Sequence, residues 1–191
     1  MLKRPLIAMV MASTLLTGCS SIISATREEP IREDQTSRTL GSYLEDEAIE
    51  TKTLVNISKG SEALALSHVN VVSYNGQVLL VGQVPDEQVK QEAGNIASQI
   101  RHVRKVHNEL DIAGPTSGIV RSNDAYLTTR IKAQMLVDNR IAGGRIKVVT
   151  ENGVVYLMGL VTQAEADLAV EITRSVTGVR KIVKVFEYVG A

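Results

Sequence analysis

The chain has 191 residues, with 21 Lys and Arg balanced by 21 Asp and Glu. Its single cysteine excludes a disulfide within the chain, a cysteine-based metal site and redox chemistry between two thiols of the chain. Five tyrosines, one phenylalanine and no tryptophan offer little aromatic surface, which argues against stacking on nucleic-acid bases or on sugars.

Residues 1–18 have the layout of a lipoprotein signal peptide. Lys3 and Arg4 precede an apolar run over residues 6–16, and Leu16-Thr17-Gly18-Cys19 has the form of a lipobox, which signal peptidase II cleaves before its cysteine. We therefore expect a mature chain that begins at Cys19, whose thiol carries a diacylglycerol and holds the protein on a membrane. The alternative is a short membrane helix with an incidental cysteine, although a bilayer requires about 20 residues.

Residues 19–39 are predicted to be the lipidated N-terminus and a flexible tether. Ser20 follows Cys19 where the retention signal of many inner-membrane lipoproteins has aspartate, so these sorting rules imply transport to the outer membrane. The segment is polar and charged without sustained apolar periodicity, so it cannot bury enough surface to order itself. A loosely ordered leader to the first domain would be mechanically equivalent.

The remainder of the chain is an internal repeat. Residues 69–84 read VNVVSYNGQVLLVGQV and residues 146–161 read IKVVTENGVVYLMGLV, with an offset of 77 positions. The segment at 103–106 matches 179–182 with an offset of 76. The sequence therefore predicts two copies of one small domain, at 40–113 and 121–191, which are joined by a linker at 114–120 and are packed together or closely linked.

Each copy is predicted to have the order α-β-β-α-β. Apolar residues alternate around Asn75-Gly76 and Asn152-Gly153, and Asn-Gly between two strands is the strongest short hairpin signal. A helix follows each hairpin, and Thr162 begins a capping box in the second copy. A third strand, roughly at 103–112 and 179–189, and a helix before each hairpin, around 46–58 and 124–137, complete an α+β fold. In it a three-stranded sheet buries one face under two helices.

The repeat resembles the BON domain family. Its most specific segments are NDAYLTTR at 123–130 and VTENGVVYLMGLVT at 149–162, and Gly82 and Gly159 match a glycine in the family's second strand. A lipobox followed by two such domains resembles the dual BON-domain outer-membrane lipoproteins. This resemblance implies a non-enzymatic protein on the periplasmic side of the outer membrane that binds phospholipid and supports outer-membrane integrity. It also implies the outer-membrane protein assembly machinery as a partner.

The zero net charge hides a difference between the two copies. Residues 40–113 contain six Lys and Arg against ten Asp and Glu, whereas residues 114–191 contain ten against seven. A basic domain on a lipid-anchored chain indicates contact with anionic phospholipid, and each Lys or Arg near such a surface contributes roughly 1 kcal/mol. The alternative is ordinary scatter of charge, because the excess is small.

The helix predicted at 124–137 is the candidate membrane contact. Leu127, Ile131 and Met135 should face the core, and a second stripe on the helix should be exposed. The stripe joins an aromatic ring, a cation and small apolar side chains, a composition suited to a headgroup interface; the alternative is that Tyr126 simply lies at the domain edge. The resemblance also places the contact with anionic, phosphatidylglycerol-type membrane on this helix. The expected phospholipid-binding residues are Tyr126, Leu127, Arg130, Ala133 and Val137.

The corresponding positions of the first copy are interpreted as Ile49, Thr53 and Asn56, which lack an aromatic and a cation. We therefore expect the second copy to meet lipid, and the first copy to meet the second or a protein partner.

Catalytic and metal-binding motifs are missing from the sequence. His68, His102 and His107 do not have the spacing of metal ligands, and no nucleophile elbow or phosphate loop occurs. We expect no catalytic residue, no metal, no cofactor and no nucleic-acid partner. The alternative to lipid binding is a protein-interaction scaffold whose basic face meets a protein or peptidoglycan.

Overall fold

A computed structural model gives the fold of the chain and describes residues 36–190. The predicted signal peptide, Cys19 and the predicted tether up to residue 35 lie outside the described residues. No helix between residues 36 and 190 is both long enough and apolar enough to cross a membrane. The described residues belong to one compact unit and contain the predicted α-β-β-α-β order twice.

The first domain is built from a hairpin and a crossover. Its elements are α1 (Leu40–Ser58), the one-turn helix α2 (Glu62–Ala65), β1 (His68–Tyr74), β2 (Gln77–Val84), α3 (Glu87–Ser98) and β3 (Lys105–Ile112). The strand order is β1-β2-β3, with β1 antiparallel and β3 parallel to β2. Parallel neighbours need a long crossover, which α3 supplies.

The second domain repeats this topology. Its elements are α4 (Gly118–Val137), a 3-10 turn (Gly143–Arg145), β4 (Lys147–Glu151), β5 (Val154–Val161), α5 (Gln163–Arg174) and β6 (Lys181–Tyr188). The strand order is β4-β5-β6, again antiparallel and then parallel. The predicted capping box of α5 is confirmed, because Thr162 accepts the N–H of Glu165 while the Glu165 carboxylate accepts the N–H of Thr162.

Two helices begin six residues earlier than predicted. α1 begins at Leu40 rather than near 46, and α4 begins at Gly118 rather than near 124, within the predicted linker at 114–120. Thr39 and Ser117 cap these starts by accepting the N–H groups of Ser42 and Val120, at 3.1 and 3.4 Å. The first buried residues of the two helices are Asp46 and Asp124. Apolar periodicity could not reveal the earlier turns because they carry no core residue.

Each sheet is buried on both faces: helices cover one face, as predicted, and the sheet of the other domain covers the second face. Along β2, Val78 and Leu80 belong to the core of their own domain, whereas the intervening Leu79 and Val81 belong to a cluster shared with the other sheet. The shared cluster contains Val72, Tyr74, Leu79, Val81, Val149, Tyr156, Met158, Leu160 and Val185. Residues 36–190 therefore form four layers, in the order helices, sheet, sheet, helices. The two domains pack together, which is one of the two arrangements that the sequence left open.

Candidate functional site

A buried aspartate in the first helix of each domain holds the Asn-Gly turn of the hairpin. The Asp46 carboxylate accepts the N–H groups of Asn75-Gly76 at 2.7 and 2.9 Å, and the Asp124 carboxylate accepts those of Asn152-Gly153 at 2.8 Å each. All four turn residues have positive φ, between 49° and 72°, as a type I′ turn requires. This pair was not predicted from the sequence, because at the repeat offset of 77 Asp46 aligns with Asn123, and the two aspartates match only at an offset of 78.

The two aspartates give the correct alignment of α1 with α4. With Asp46 matched to Asp124, the equivalents of Tyr126 and Arg130 are Ala48 and Lys52. The predicted first-copy positions are wrong, because Ile49 (2% exposed) and Thr53 are core residues. The first helix thus lacks an aromatic at this place, but it does carry a cation.

The core-facing side of α4 is as predicted. Leu127, Ile131 and Met135 are buried in the core of the second domain. The inclusion of Leu127 among the phospholipid-binding residues is therefore wrong, because its side chain is 1% exposed and cannot reach a membrane from the folded domain. Leu127 instead fixes the rotation of α4 that turns its neighbour Tyr126 outward.

A second side of α4, about 100° around the helix from the core face, carries an exposed row that we name the α4 stripe: Ile119, Tyr126, Arg130, Ala133 and Val137. Ile119, Tyr126 and Val137 are 84%, 56% and 77% exposed. The guanidinium of Arg130 donates to the Tyr126 hydroxyl at 2.9 Å and lies 6.0 Å from the centre of its ring. At 1.5 Å per residue the row is about 27 Å long. Ile119 was not predicted to belong to the stripe, because the helix was expected to begin after it.

Polar contacts around the shared apolar cluster fix the second domain relative to the first. The Tyr74 hydroxyl donates to the carbonyl of Arg145 at 2.7 Å, and Lys147 forms a salt bridge with Glu50 at 2.7 Å. Glu187 accepts hydrogen bonds from Asn75, Gln77 and Arg104 of the first domain. Burial opposes the ionisation of Glu187, but the Arg104 contact and the two amide hydrogen bonds outweigh it and lower its pKa. These contacts hold the second domain, and with it the α4 stripe, in one orientation relative to the first domain.

The three histidines lie in separate contacts. His102 contacts Glu45, His107 shares a hydrogen bond with Gln77 at 2.9 Å, and His68 lies 3.9 Å from Glu151. Within residues 36–190, no three side chains of His, Cys, Asp or Glu are grouped so that they could hold a metal ion.

The chain belongs to the BON-domain family, whose model matches residues 45–114 and 123–190, one match for each domain described above. It is a dual BON-domain protein similar to the outer membrane lipoprotein DolP of Haemophilus influenzae, with 38% identity over 177 residues that cover 93% of this chain and 92% of the relative. It is also similar to a 21 kDa hemolysin of Actinobacillus pleuropneumoniae (38% identity, covering 80% and 78% of the two chains). The osmotically-inducible protein Y of Escherichia coli is 27% identical, with coverage of 95% and 93%.

Proposed function

We propose that this protein is a periplasm-facing outer-membrane lipoprotein, anchored through Cys19, whose second BON domain binds anionic phospholipid and which thereby supports outer-membrane integrity. The lipobox and the similarity to a relative named as an outer membrane lipoprotein support the location. The role is one of binding rather than catalysis.

The α4 stripe is the observation that carries the proposal. Ile119 and Val137 place apolar side chains at its two ends, and Tyr126 and Arg130 place an amphipathic ring and a cation between them. Burying an aliphatic side chain of this size contributes about 1.5–3 kcal/mol, and a cation near an anionic surface roughly 1 kcal/mol. The contact by itself is weak and reversible. A lipid anchor at Cys19 would raise the local concentration of membrane around the stripe, so a weak contact is sufficient.

Vesicle sedimentation with the unlipidated chain tests the proposal. Tyr126→Glu replaces an interfacial ring with an anion that acidic headgroups repel, so we expect it to abolish binding to phosphatidylglycerol-rich vesicles. The melting temperature should stay nearly unchanged, because Tyr126 lies outside the core. Rising salt should weaken wild-type binding, since exposed charges are screened over about 8–10 Å at 0.10–0.15 M.

Two variants serve as controls for this experiment. Tyr126→Phe keeps the ring and should retain binding, and Val55→Glu adds the same charge at an exposed position of α1 and should bind like wild type. If Tyr126→Glu sediments with the vesicles as fully as wild type does, the α4 stripe is not the lipid contact.

A protein-interaction scaffold is the second candidate function, and the exposed side of α1 favours it. Leu40, Leu44, Leu54 and Val55 are exposed large apolar side chains on that helix, and the acidic Glu47 lies among them. Such a face suits a protein partner, for which the outer-membrane protein assembly machinery is the candidate that the family resemblance implies. The scaffold would be favoured if the chain did not bind vesicles but captured such a partner, and if Leu44→Lys abolished that capture.

A further inference from the structure

We propose that a groove on the second domain, separate from the α4 stripe, binds a phosphate-bearing anion. The groove lies between α5 and the edge strand β6, and its volume is about 430 Å³. We name it the basic groove; its lining consists of Val170, Arg174, Val179, Arg180, Lys181, Ile182 and Lys184. This inference does not depend on the function proposed for the α4 stripe, because α4 packs on β4 and the groove lies beside β6, at the other edge of the sheet.

The chemistry of the lining is that of an anion site with an apolar floor. Four of the seven lining residues are cations, three are aliphatic and none is acidic. In the described part of the chain, none of these four cations forms a salt bridge. Arg180 donates to the carbonyl and side-chain oxygens of Asn152 at 3.2 and 3.3 Å through one nitrogen, which leaves its other N–H groups for a ligand. The four cations that line the groove repel one another, and a bound anion would offset that repulsion.

The matching place in the first domain is filled, so the fold does not require a groove here. With Arg180 matched to Arg104, the equivalents of Arg174 and Lys184 are Ser98 and Asn108. The Asn108 amide donates to the carbonyl of Lys90 at 2.7 Å, and it lies so close to Gly94 that a Cβ there would come within 2.8 Å of it. Where the first domain has Ser98 and an Asn108 side chain that closes this space, the second domain has Arg174 and Lys184, two cations that border an open groove.

Phosphate is the anion that this arrangement fits best. Two guanidinium groups offer forked donors that match phosphate oxygens in pairs, and two ammonium groups add point charges. The volume is that of a site for a small molecule or a headgroup. The floor of Val170, Val179 and Ile182 can accept a short apolar segment next to the phosphate. Such a ligand is either the headgroup of a phospholipid or a free phosphorylated molecule.

Titration calorimetry on the full unlipidated chain tests the proposal with two probes. The first is dihexanoyl phosphatidylglycerol below its micelle-forming concentration, and the second is inorganic phosphate. Arg174→Gln combined with Lys184→Gln should weaken binding by at least about tenfold, because two charge-assisted contacts are lost. Arg101→Gln with Lys105→Gln removes the same charge from exposed positions of the first domain and should leave binding unchanged.

The outcomes separate this site from the α4 stripe and identify the source of the phosphate. Tyr126→Glu should keep binding to the soluble probe even where it loses vesicles, so either proposal can fail alone. Tighter binding of the short-chain lipid than of phosphate identifies a headgroup, and equal binding identifies a free phosphorylated ligand. Binding of neither probe, or equal binding by wild type and the Arg174/Lys184 variant, would overturn the proposal. Binding of hexaglutamate, with no binding of either phosphate probe, would also overturn the proposal and would point to an acidic protein partner.

Discussion

A single buried carboxylate couples the first helix of each domain to its hairpin. Asp46 shows the electrostatic balance: burial disfavours its charged form, but hydrogen bonds from Gly76, Ser73, Asn75 and Arg38 outweigh burial and hold its pKa below the ordinary value of 3.8. Because the pKa is lower in the folded chain, ionisation of Asp46 stabilises the fold. This contribution is complete above the pKa of the unfolded chain and is lost as pH falls through the lowered value.

The first residue-scale prediction concerns Asp46→Asn. At pH 7 we expect a loss of about 2–3 kcal/mol of unfolding free energy, because a buried carboxylate with charge-assisted hydrogen bonds is replaced by an amide. The difference between wild type and variant should begin to shrink as pH falls below about 4, where the carboxylate of the unfolded chain becomes protonated, and should shrink further as pH falls through the lowered pKa of the folded chain. Urea unfolding at pH 7, 5 and 3 measures this. Asp167→Asn, at an exposed position on α5, should change little at any pH, and a constant difference for Asp46→Asn would contradict the prediction.

The second residue-scale prediction separates two glycines that look equivalent in the sequence. Gly82 has a φ of +129°, and a Cβ there would lie 2.0 Å from the carbonyl oxygen of His68. Gly159 does not have a positive φ, and its Cβ would meet the carbonyl oxygen of Arg145 at 3.3 Å. Gly82→Ala should therefore cost at least about 2 kcal/mol of unfolding free energy, and Gly159→Ala less than about 1 kcal/mol. Urea unfolding of the two variants measures the losses. Equal losses of unfolding free energy would contradict the prediction.

The reason for this difference lies in strand pairing. β1 continues far enough to place Val69 opposite Gly82 and His68 opposite Gln83. β4 begins at Lys147, opposite Met158, so Gly159 lies just beyond the part of β5 that pairs with β4, although it still pairs with Phe186 of β6. The same sequence signal, a glycine inside the second strand, therefore has two structural meanings in one chain.

At the scale of secondary-structure elements, the sequence predicted best where a local rule acts alone. Asn75-Gly76 and Asn152-Gly153 predicted both hairpins, because the turn type is set by two residues that tolerate positive φ. The start of α4 could not be predicted from periodicity, since its first turns bury nothing. The buried second face of each sheet had a signal in the consecutive apolar residues of β2 at 78–81. What the sequence could not say is which surface covers that face.

The exposed faces of α1 and α4 differ because nothing in the fold constrains them. Both helices bury one residue every three or four positions, beginning with an aspartate, so their core faces are nearly interchangeable. On the outer side, Tyr126 and Arg130 of α4 have Ala48 and Lys52 as counterparts in α1. The candidate site was therefore predictable as a stripe of a helix, but not in all its members. Leu127 lies on the core face that the apolar periodicity itself indicates, and Ile119 joins the stripe because α4 begins at Gly118 rather than near 124.

At the scale of the whole molecule, the two domains depend on each other for a covered sheet face. An isolated second domain, residues 117–191, would expose Tyr156, Met158 and Leu160 of β5 to water. We expect such a fragment to be less stable than the full chain and to self-associate through this face. Light scattering coupled to size-exclusion chromatography measures the association.

Met158→Lys distinguishes this face from other surfaces. In the fragment it should reduce self-association, because a charge replaces an apolar contact, whereas in the full chain it should destabilise the fold, because Met158 is buried there. Thr177→Lys adds the same charge at an exposed position and should do neither. A fragment that stays monomeric at high concentration without the Met158 substitution would argue against the prediction.

The face-to-face contact between two copies of one sheet has an evolutionary consequence. A single-copy protein that paired with itself through this face would display the same outer helix on both sides, so any substitution in that helix would appear twice. Joining the copies in one chain removes this symmetry while the covalent connection keeps the effective concentration of the partner face high. Duplication thus allows one helix to acquire a tyrosine and an arginine while its sister acquires leucines and glutamates, and a protein with two equal ends becomes one with two different ends.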